Sequence, residues 1–221
     1  MKLEPVSKSE AARYMGVKGA PEPAVAELLD TAEKMVRERT APKYVWRVGK
    51  IVRSGSSLSI CGVEFIGESV KKHLSGCDRA VLLAATLSAE SDKLIRQTAV
   101  TDMALSLAVD CICSAAVEQV CNRAESEIFS TLDTEYRTWR FSPGYGDLPI
   151  DVQRDFLNAL NAPKRIGLTV TESSLLLPTK SVTAVIGISD IPVKKGAKGC
   201  AVCSMRESCA FRAVGGVCGG R

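Results

Sequence analysis

The longest regularly patterned segment of the sequence runs from Asp102 to about Leu132 and constrains the fold more than any other feature. Apolar residues recur along it at helical spacing, which predicts one long α-helix. Its first half is almost entirely apolar or small, whereas its second half mixes charged with apolar residues. We therefore expect the helix to be buried along one half and exposed along the other, packed closely against a sheet. The predicted buried stripe comprises Leu105, Val109, Ile112, Ala116 and Val120.

Five further segments have the composition of β-strands. Residues 44–52 and 57–65 are rich in β-branched and aromatic side chains and are separated by RSGSS, which predicts a β-hairpin. Residues 79–87 form a continuous apolar run of strand length, typical of a buried central strand. Residues 166–170 and 180–189 are also predicted as strands, the latter because its apolar residues alternate with polar ones.

Helical patterns lie between these strands. They cover residues 22–40, 68–74 and 150–160, together with a helix that Ser88 is expected to cap and that runs to about Thr98. Strands and helices are mixed without the regular alternation of βαβ units. The sequence therefore predicts an α+β fold, with a twisted mixed, largely antiparallel sheet and flanking helices.

The charge is distributed unevenly along the 221 residues. Residues 194–221 hold six basic residues and one acid, so the excess of 29 basic over 25 acidic residues in the whole chain belongs to this tail. We divide the chain into an α+β domain over residues 1–193 and a basic, Cys-rich tail over residues 194–221. The nearly neutral domain has no basic footprint for nucleic acid.

Two features of the hydropathy pattern bear on location. The longest apolar stretch, Ala80 to Leu87, is far shorter than a membrane span. The first residues, MKLEPVSKSEAARYMG, lack the apolar core of a secretory signal. We expect a cytoplasmic protein without a membrane partner.

The chain has a single histidine, His73, in the lysine-flanked segment VKKHL. A Ser-His-Asp or Cys-His site would have to use this one ring, and a His-rich catalytic zinc site cannot be built. A surface histidine on a helix is the more common outcome for such a residue. Five of the nine cysteines lie among apolar residues before the tail and are expected to be buried free thiols.

The other four cysteines lie in the tail with the spacing Cys200-x2-Cys203-x5-Cys209-x8-Cys218. Four thiolates in a short cationic segment can ligate zinc or an iron–sulfur cluster, and the neighbouring Lys and Arg residues would favour the thiolate form. One CxxC pair with loose outer spacing is equally compatible with a tail that holds no metal. A cluster there would suit an electron-transfer role.

The most informative stretch is RFSPGYGD, residues 140–147. Pro143 removes a backbone donor, while Gly144 and Gly146 allow positive φ and close approach of a ligand, so this stretch is a loop. An arginine just before such a loop can clamp a carboxylate or phosphate through two parallel N–H bonds, and Tyr145 can stack on a ring or donate a hydrogen bond. A purely structural turn is the alternative. The stretch matches neither GxGxxG nor a P-loop, which argues against nucleotide phosphates.

This loop and a second block downstream resemble the activation (S-adenosylmethionine-binding) domain of cobalamin-dependent methionine synthase. That family shows an Arg-x-Ala-Pro-Gly-Tyr-Pro loop, then a helix, then Gly-x-x-Leu-Thr-Glu-Ser, a Pro and a Ser-Val strand. Both blocks occur here in the same order and at compatible spacing. The matching residues are Arg140, Ser142, Pro143, Gly144 and Tyr145, then Gly167, Thr171, Glu172, Ser173, Pro178, Ser181 and Val182.

The resemblance implies a stand-alone activation domain that works in trans, as an accessory of methionine synthase or another corrinoid methyltransferase. In the family, S-adenosylmethionine is held over the corrinoid while an electron donor such as a flavodoxin or ferredoxin reduces the cobalt, and methyl transfer traps the reduced metal. By this resemblance Arg140 recognises the methionine carboxylate, and Ser142, Gly144 and Tyr145 shape the cofactor pocket. The cobalt-ligating Asp-x-His-x-x-Gly motif is absent from the sequence, so cobalamin would be carried by the partner.

Two acidic residues are further candidates for this site. Glu118 and Glu172 are both candidates to face the sulfonium, because an acid stabilises a nearby cation. Glu172 is equally placed to fix Arg140 or the loop backbone.

The sequence departs from the family in two places. Ser142 and Gly146 stand where the family has Ala and Pro, changes small enough for a backbone-mediated contact to survive. Where the family domain continues with further cofactor-contacting aromatic residues, this chain enters the Cys-rich tail with Phe211 as its one aromatic residue. The alternative function is therefore an iron–sulfur electron-transfer or adaptor protein for a corrinoid methyltransferase, one that no longer binds S-adenosylmethionine.

Overall fold

A six-stranded antiparallel sheet forms the centre of the computed structural model, which describes residues 1–132, 134, 136–193 and 207. The strands are β1 (Lys43–Ser54), β2 (Ser57–Ile60), β3 (Val63–Ile66), β4 (Arg79–Thr86), β5 (Tyr136–Arg137), β6 (Thr169–Val170), β7 (Leu176–Leu177) and β8 (Ser181–Ser189). In the large sheet they lie in the order β3-β2-β1-β4-β8-β5, with every pair of neighbours antiparallel. A separate small sheet pairs β6 with β7. The predicted α+β class with a largely antiparallel sheet is confirmed.

Helices flank this sheet on both faces. They are α1 (Lys8–Tyr14), α2 (Pro23–Arg39), α3 (Glu68–His73), α4 (Ala89–Thr101), α5 (Met103–Thr131), α6 (Gln153–Leu160) and α7 (Ala162–Ile166). A 3-10 turn, Ile150–Val152, leads into α6. The helices predicted over 22–40, 68–74, 102–132 and 150–160 are confirmed as α2, α3, α5 and the turn with α6. The predicted tail of residues 194–221 lies outside the described residues except for Glu207.

The long helix α5 begins at a side-chain cap. The Oδ1 atom of Asp102 accepts hydrogen bonds from the backbone N–H groups of Ala104 (2.9 Å) and Leu105 (3.0 Å), which would otherwise lack partners in the first turn. Every residue of the predicted stripe is buried except Leu105, which is half-buried. The second half of α5 is exposed on one face, as its amphipathic pattern predicted.

By length and composition α5 is also able to cross a membrane. Most of its apolar stretch is buried inside the fold, however, as in an ordinary core helix. It packs against α1, α2 and α4 on its outer side and against the sheet on its inner side. Helix α5 is therefore only weak evidence for a membrane-spanning segment.

The central strand β4 is buried on both faces, as predicted for the apolar run 79–87. Ala80, Leu82 and Ala84 pack in one cluster with residues of α6 and α7. Val81 and Leu83 point the other way and pack with residues near the C-terminal end of α5. The sheet is thus enclosed between α5 on one side and α6 with α7 on the other.

The prediction of a hairpin is confirmed for the pairing of its two strands, but it is wrong for the length of the second strand. β1 and β2 pair with Ser54 opposite Ser57. The expected single strand over 57–65 is instead divided into β2 and β3 by a turn at Cys61 and Gly62, both with positive φ (54° and 84°). Two consecutive residues of positive φ make the turn type that matches the twist of a hairpin, so the chain folds back once more.

The strand predicted over 166–170 is mostly wrong. Helix α7 continues to Ile166 and ends at Gly167, whose φ of 70° gives a left-handed helix cap, and β6 retains only two residues of the predicted span. The strand over 180–189 is confirmed as β8, but its sides do not alternate in burial, because residues 183–189 are covered on both faces.

Ser88 precedes α4, but its predicted side-chain cap is absent. Its φ is 72°, and no hydrogen bond joins its side chain to the start of the helix. The Oγ atom accepts instead from the backbone N–H of Ala41 at 3.3 Å, so Ser88 ties α4 to the segment before β1.

Candidate functional site

The loop that follows Arg140 is fixed to the sheet where it begins. Phe141 and Val185 of β8 form an isolated antiparallel bridge, with N···O distances of 3.0 Å and 2.8 Å for the two backbone hydrogen bonds. The side chains of Phe141 and Leu148, at the two ends of the loop, are buried in the core. The loop therefore projects from the sheet next to β8.

Tight turns shape the loop between these ends. The N–H of Gly144 donates to the carbonyl of Leu148 (3.0 Å), and the N–H of Tyr145 donates to the carbonyl of Ser142 (3.1 Å). Gly144 has a φ of 87°, and a Cβ atom placed on it would meet only Ile150, at 3.8 Å. The backbone at Gly144 is therefore open to a ligand, as predicted.

The predicted pocket residues lie at different depths. Ser142 is half-buried beneath the turn, whereas Tyr145 is 54% exposed at the tip. The ring of Tyr145 meets that of Phe141 edge-on, with centroids 5.9 Å apart. The tyrosine is thus half exposed at the tip of the loop, with its ring supported by Phe141.

The far end of the loop interlocks with α3. The carboxylate of Asp147 accepts hydrogen bonds from the backbone N–H groups of Glu68 (2.7 Å) and Ser69 (2.9 Å), the first residues of α3. These two bonds, with that of Ser69 the stronger influence, hold the pKa of Asp147 below its usual value. Gly146 has a φ of 58°, and a Cβ atom on it would lie 2.7 Å from the Cβ atom of Ser69. The replacement of the family's Pro by Gly146 is therefore not a small change here, because proline cannot adopt this φ.

The guanidinium of Arg140 lies against the exposed half of α5. Its Nη2 donates to Oε2 of Glu118 (3.0 Å) and to Oδ1 of Asn122 (2.9 Å), and its Nη1 donates to Oε2 of Glu125 (2.9 Å). The Arg140 side chain is 20% exposed, so it remains accessible from one side. The arginine that was predicted to clamp an anion is thus already held by two carboxylates and an amide.

Glu125 also joins Arg140 to a second arginine. Its Oε1 accepts from Nε of Arg137 at 3.0 Å, and the guanidinium of Arg137 lies 4.4 Å from the centroid of the Phe129 ring. The Glu125 side chain is only 19% exposed. The charges of the two arginines and of Glu118 and Glu125 balance within this cluster.

Glu172 lies apart from this cluster. It is exposed in the turn between β6 and β7, and no hydrogen bond or ion pair joins it to any described residue. The turn is closed by Thr171, whose N–H donates to the carbonyl of Leu175 at 2.9 Å. It is joined to the 3-10 turn before α6 by a hydrogen bond from Ser174 to Asp151. The alternative in which Glu172 fixes Arg140 is therefore wrong in this structure, since the acids of α5 do so.

His73 is not the surface residue that was expected. It is half-buried at the end of α3, with Nε2 2.8 Å from the carbonyl oxygen of Trp139. Its ring packs against Trp139 (4.5 Å between centroids) and Phe141 (4.9 Å). The histidine, with Trp139, thus supports the start of the loop.

The five cysteines of the domain were predicted as buried free thiols. All five are free, and all are buried except Cys61, which is half-buried; the others are Cys77, Cys111, Cys113 and Cys121. Burial raises the pKa of Cys113 and of Cys121 to about 12, so neither is a nucleophile at neutral pH. No cluster of three or more potential metal ligands occurs within the described residues. The proposed ligands Cys200, Cys203, Cys209 and Cys218 lie outside them.

Sequence reasoning missed several residues that build this site. Asn122 and Glu125 were not selected, although their spacing from Glu118, four and seven residues along α5, places all three on one helix face. Asp147 and Ser69 gave no local signal, because their contact joins segments far apart in the sequence. Asn122 and Glu125 could therefore have been found from their helical spacing, whereas the contact between Asp147 and Ser69 could not have been predicted from the sequence.

The fold and the site together define a ligand-binding α+β domain with an arginine and an open glycine–tyrosine loop and, within the described residues, no activated nucleophile. Residues 85–190, just under half of the chain, match the family model described as "Vitamin B12 dependent methionine synthase, activation domain". The resemblance seen in the sequence is thereby confirmed.

A solved structure shares the fold. The crystal structure of the MetH reactivation domain bound to AdoHcy superposes with a TM-score of 0.67 at 15% sequence identity, over 87% of this chain and 76% of that one. This likeness extends the shared architecture beyond the segment that the family model matches. No curated protein matches the chain.

Proposed function

We propose that this chain binds S-adenosylmethionine at the loop of residues 140–147. Bound there, the ligand would serve the reductive methylation of cobalamin carried by methionine synthase or a related corrinoid protein, with the chain acting in trans. The observation that carries the proposal is the placement of Arg140. Its guanidinium is 20% exposed beside an open loop, within a segment that matches the activation-domain family.

The residues of the site suit an amino-acid ligand joined to a nucleoside. The fork of Arg140 is suited to the carboxylate, the open backbone at Gly144 to a closely approaching chain, and the exposed ring of Tyr145 to a flat base or sulfonium. The solved structure of the same fold was determined with AdoHcy, the demethylated form of the same ligand, which supports this assignment.

The bound ligand would supply an activated methyl group on a sulfonium. The protein then has to position the ligand and exclude competing groups, without providing a nucleophile of its own. That requirement agrees with the buried, protonated thiols and with a histidine that is packed against the loop. Cobalamin would be carried by the partner, and a flavodoxin or ferredoxin would provide the electron.

Calorimetric titration of the purified protein with S-adenosylhomocysteine tests the proposal. We expect saturable binding that Arg140→Ala weakens by about ten- to a hundredfold, because a charge-assisted bidentate contact contributes about 1.5–3 kcal/mol. Arg140→Lys should also weaken binding, since lysine keeps the charge but lacks the planar fork.

Arg96→Ala is the matched control, because Arg96 is exposed on α4 and makes no hydrogen bond or ion pair with the described residues. Its affinity should equal that of the unaltered protein. Full affinity in both Arg140 variants would contradict the proposal.

A second function is favoured by one specific observation, the four cysteines of the tail. Strand β8, which begins with the family's Ser-Val pair, contains no aromatic residue and is buried from Thr183 onward. It therefore offers no aromatic side chain to a surface ligand. We propose as the alternative an iron–sulfur electron-transfer or adaptor protein that docks on a corrinoid methyltransferase without binding S-adenosylmethionine. This alternative predicts a bound cluster together with no binding in the titration above.

A further inference from the structure

Most of the N–H groups of the Arg140 guanidinium already donate hydrogen bonds within the protein. A guanidinium has five N–H groups. Both N–H groups of Nη2 are taken, one by Glu118 and one by Asn122, and one of Nη1 is taken by Glu125. The N–H of Nε makes no hydrogen bond with the described residues.

This distribution blocks two-point recognition of a carboxylate. A carboxylate can dock on the fork along Nε and Nη2, or along Nη1 and Nη2, and both edges require an N–H of Nη2. Because both of those N–H groups are already donated, neither edge of Arg140 is open. A ligand carboxylate therefore has to displace Glu118 or Asn122. Exchange for Glu118 keeps the charges of the cluster balanced, whereas exchange for the neutral Asn122 would add a third carboxylate beside the two arginines.

The two carboxylates that accept from Arg140 differ in how firmly they are held. Glu125 is 19% exposed and bonded to two arginines, Arg137 and Arg140. Glu118 has a side chain that is 40% exposed, and its single ion pair within the described residues is the one with Arg140. An exposed carboxylate with one partner gains hydration when it leaves, so Glu118 yields more easily than Glu125.

We propose that Glu118 is a specificity-determining residue, which occupies Arg140 in the free protein and gives way to a ligand that brings its own carboxylate. The proposal rests on the function proposed above, with S-adenosylmethionine as the ligand. Glu118 then lowers the affinity of the site for any ligand that has to displace it from Arg140. A nucleoside without a carboxylate gains nothing from displacing Glu118, whereas a ligand with one has to compete against it.

Two ligands that differ in the amino-acid portion test this competition. S-adenosylhomocysteine carries a carboxylate and 5′-methylthioadenosine does not. In calorimetric titrations of the full chain, Glu118→Ala should bind S-adenosylhomocysteine about two- to fivefold more tightly, the range expected for removal of one partly exposed ion pair. The affinity for 5′-methylthioadenosine should stay unchanged.

Two further variants define the effect. Glu118→Gln keeps an oxygen acceptor without the charge and should lie between the unaltered protein and Glu118→Ala. Glu27→Ala removes an exposed glutamate of α2 that makes no hydrogen bond or ion pair with the described residues, and it should change neither affinity.

Other outcomes would overturn the inference. Weaker binding of S-adenosylhomocysteine by Glu118→Ala would show that Glu118 contacts the ligand, and equal binding would show that it does not compete. A parallel change for both ligands would show a general effect on the fold. If no variant binds either ligand, the proposed function fails.

Nitrogen-15 NMR of the Arg140 side chain then tests the contact with Glu118 without a ligand. Rotation about the Cζ–Nη2 bond should be faster in Glu118→Ala, and unchanged rotation overturns the inference.

Discussion

Arg140 lies at the base of the loop, where three acceptors on α5 hold its guanidinium against the helix. A charged group at this depth is costly to leave unpaired, so the free protein needs partners for it. The same partners determine how a ligand has to approach. At the scale of single residues, the acceptors that hold Arg140 in the free protein therefore determine how readily a ligand can bind to it.

Gly146 is the residue whose substitution should affect the loop most directly. Gly146→Ala places a side chain at a φ of 58°, which costs about 1–2 kcal/mol for a left-handed residue. It also forces a Cβ atom to within 2.7 Å of the Cβ atom of Ser69, so the loop has to separate from α3. We expect a lower free energy of unfolding in urea and weaker binding of S-adenosylhomocysteine.

Gly16→Ala separates these two effects. Gly16 has a φ of 83°, but a Cβ atom there meets nothing within 4 Å. It should therefore be destabilised by the backbone term alone and retain full ligand affinity. Equal losses of stability in the two variants would show that the contact with Ser69 does not matter.

Helix α5 has two tasks along its length. Its first half fills the core beside α1, α2 and α4, and its second half presents Glu118, Asn122 and Glu125 to Arg140. The change in its pattern, from uniformly apolar to amphipathic, predicted a buried and an exposed half but not the contact with Arg140. At the scale of elements, a single helix thus couples the core to the site.

The cap of α5 should contribute measurably to stability. Asp102→Ala removes an acceptor that serves two backbone N–H groups, and we expect a loss of about 0.5–2 kcal/mol in the free energy of unfolding. Urea titration followed by circular dichroism measures it. Asp102→Ser keeps a capping oxygen and should recover most of the loss, and an Asp102→Ala protein as stable as the original would contradict this role.

Elements were predictable where their pattern was long, and less so where a turn decided their ends. The long helix, the buried strand β4 and the helix α2 followed from periodicity over many residues. The split of residues 57–65 depended on positive φ at Cys61 and Gly62, which a side-chain pattern does not register for cysteine. The strand expected over 166–170 failed because Gly167 ends a helix there.

The whole molecule places the loop where three distant segments meet. β8 holds its start, α3 its end and α5 the guanidinium of the arginine before it. Tertiary contacts therefore hold the loop at both ends and leave its tip exposed. At this scale the tail of residues 194–221 is a separate question, since its cysteines lie outside the described residues.

Metal analysis of the full chain tests the role of that tail. If the tail cysteines ligate a cluster, anaerobically purified protein should contain iron and sulfide, or zinc in the case of a zinc site, and a Cys200→Ser/Cys203→Ser variant should lose the metal. Cys61→Ser, in the half-buried hairpin turn, is the control and should keep it. Neither metal nor sulfide in the unaltered protein would remove the tail from the proposed function.

The class of fold, the long helix, the central strand, and a loop preceded by an arginine could all be predicted from the amino-acid sequence. They follow from local patterns, because periodicity, glycine and proline act over neighbouring residues. The tertiary contacts were needed to show that Glu118, Asn122 and Glu125 hold Arg140, that Asp147 caps α3, and that Glu172 lies elsewhere. Those contacts join residues far apart in the chain, and their energies depend on distances and burial that no local pattern encodes.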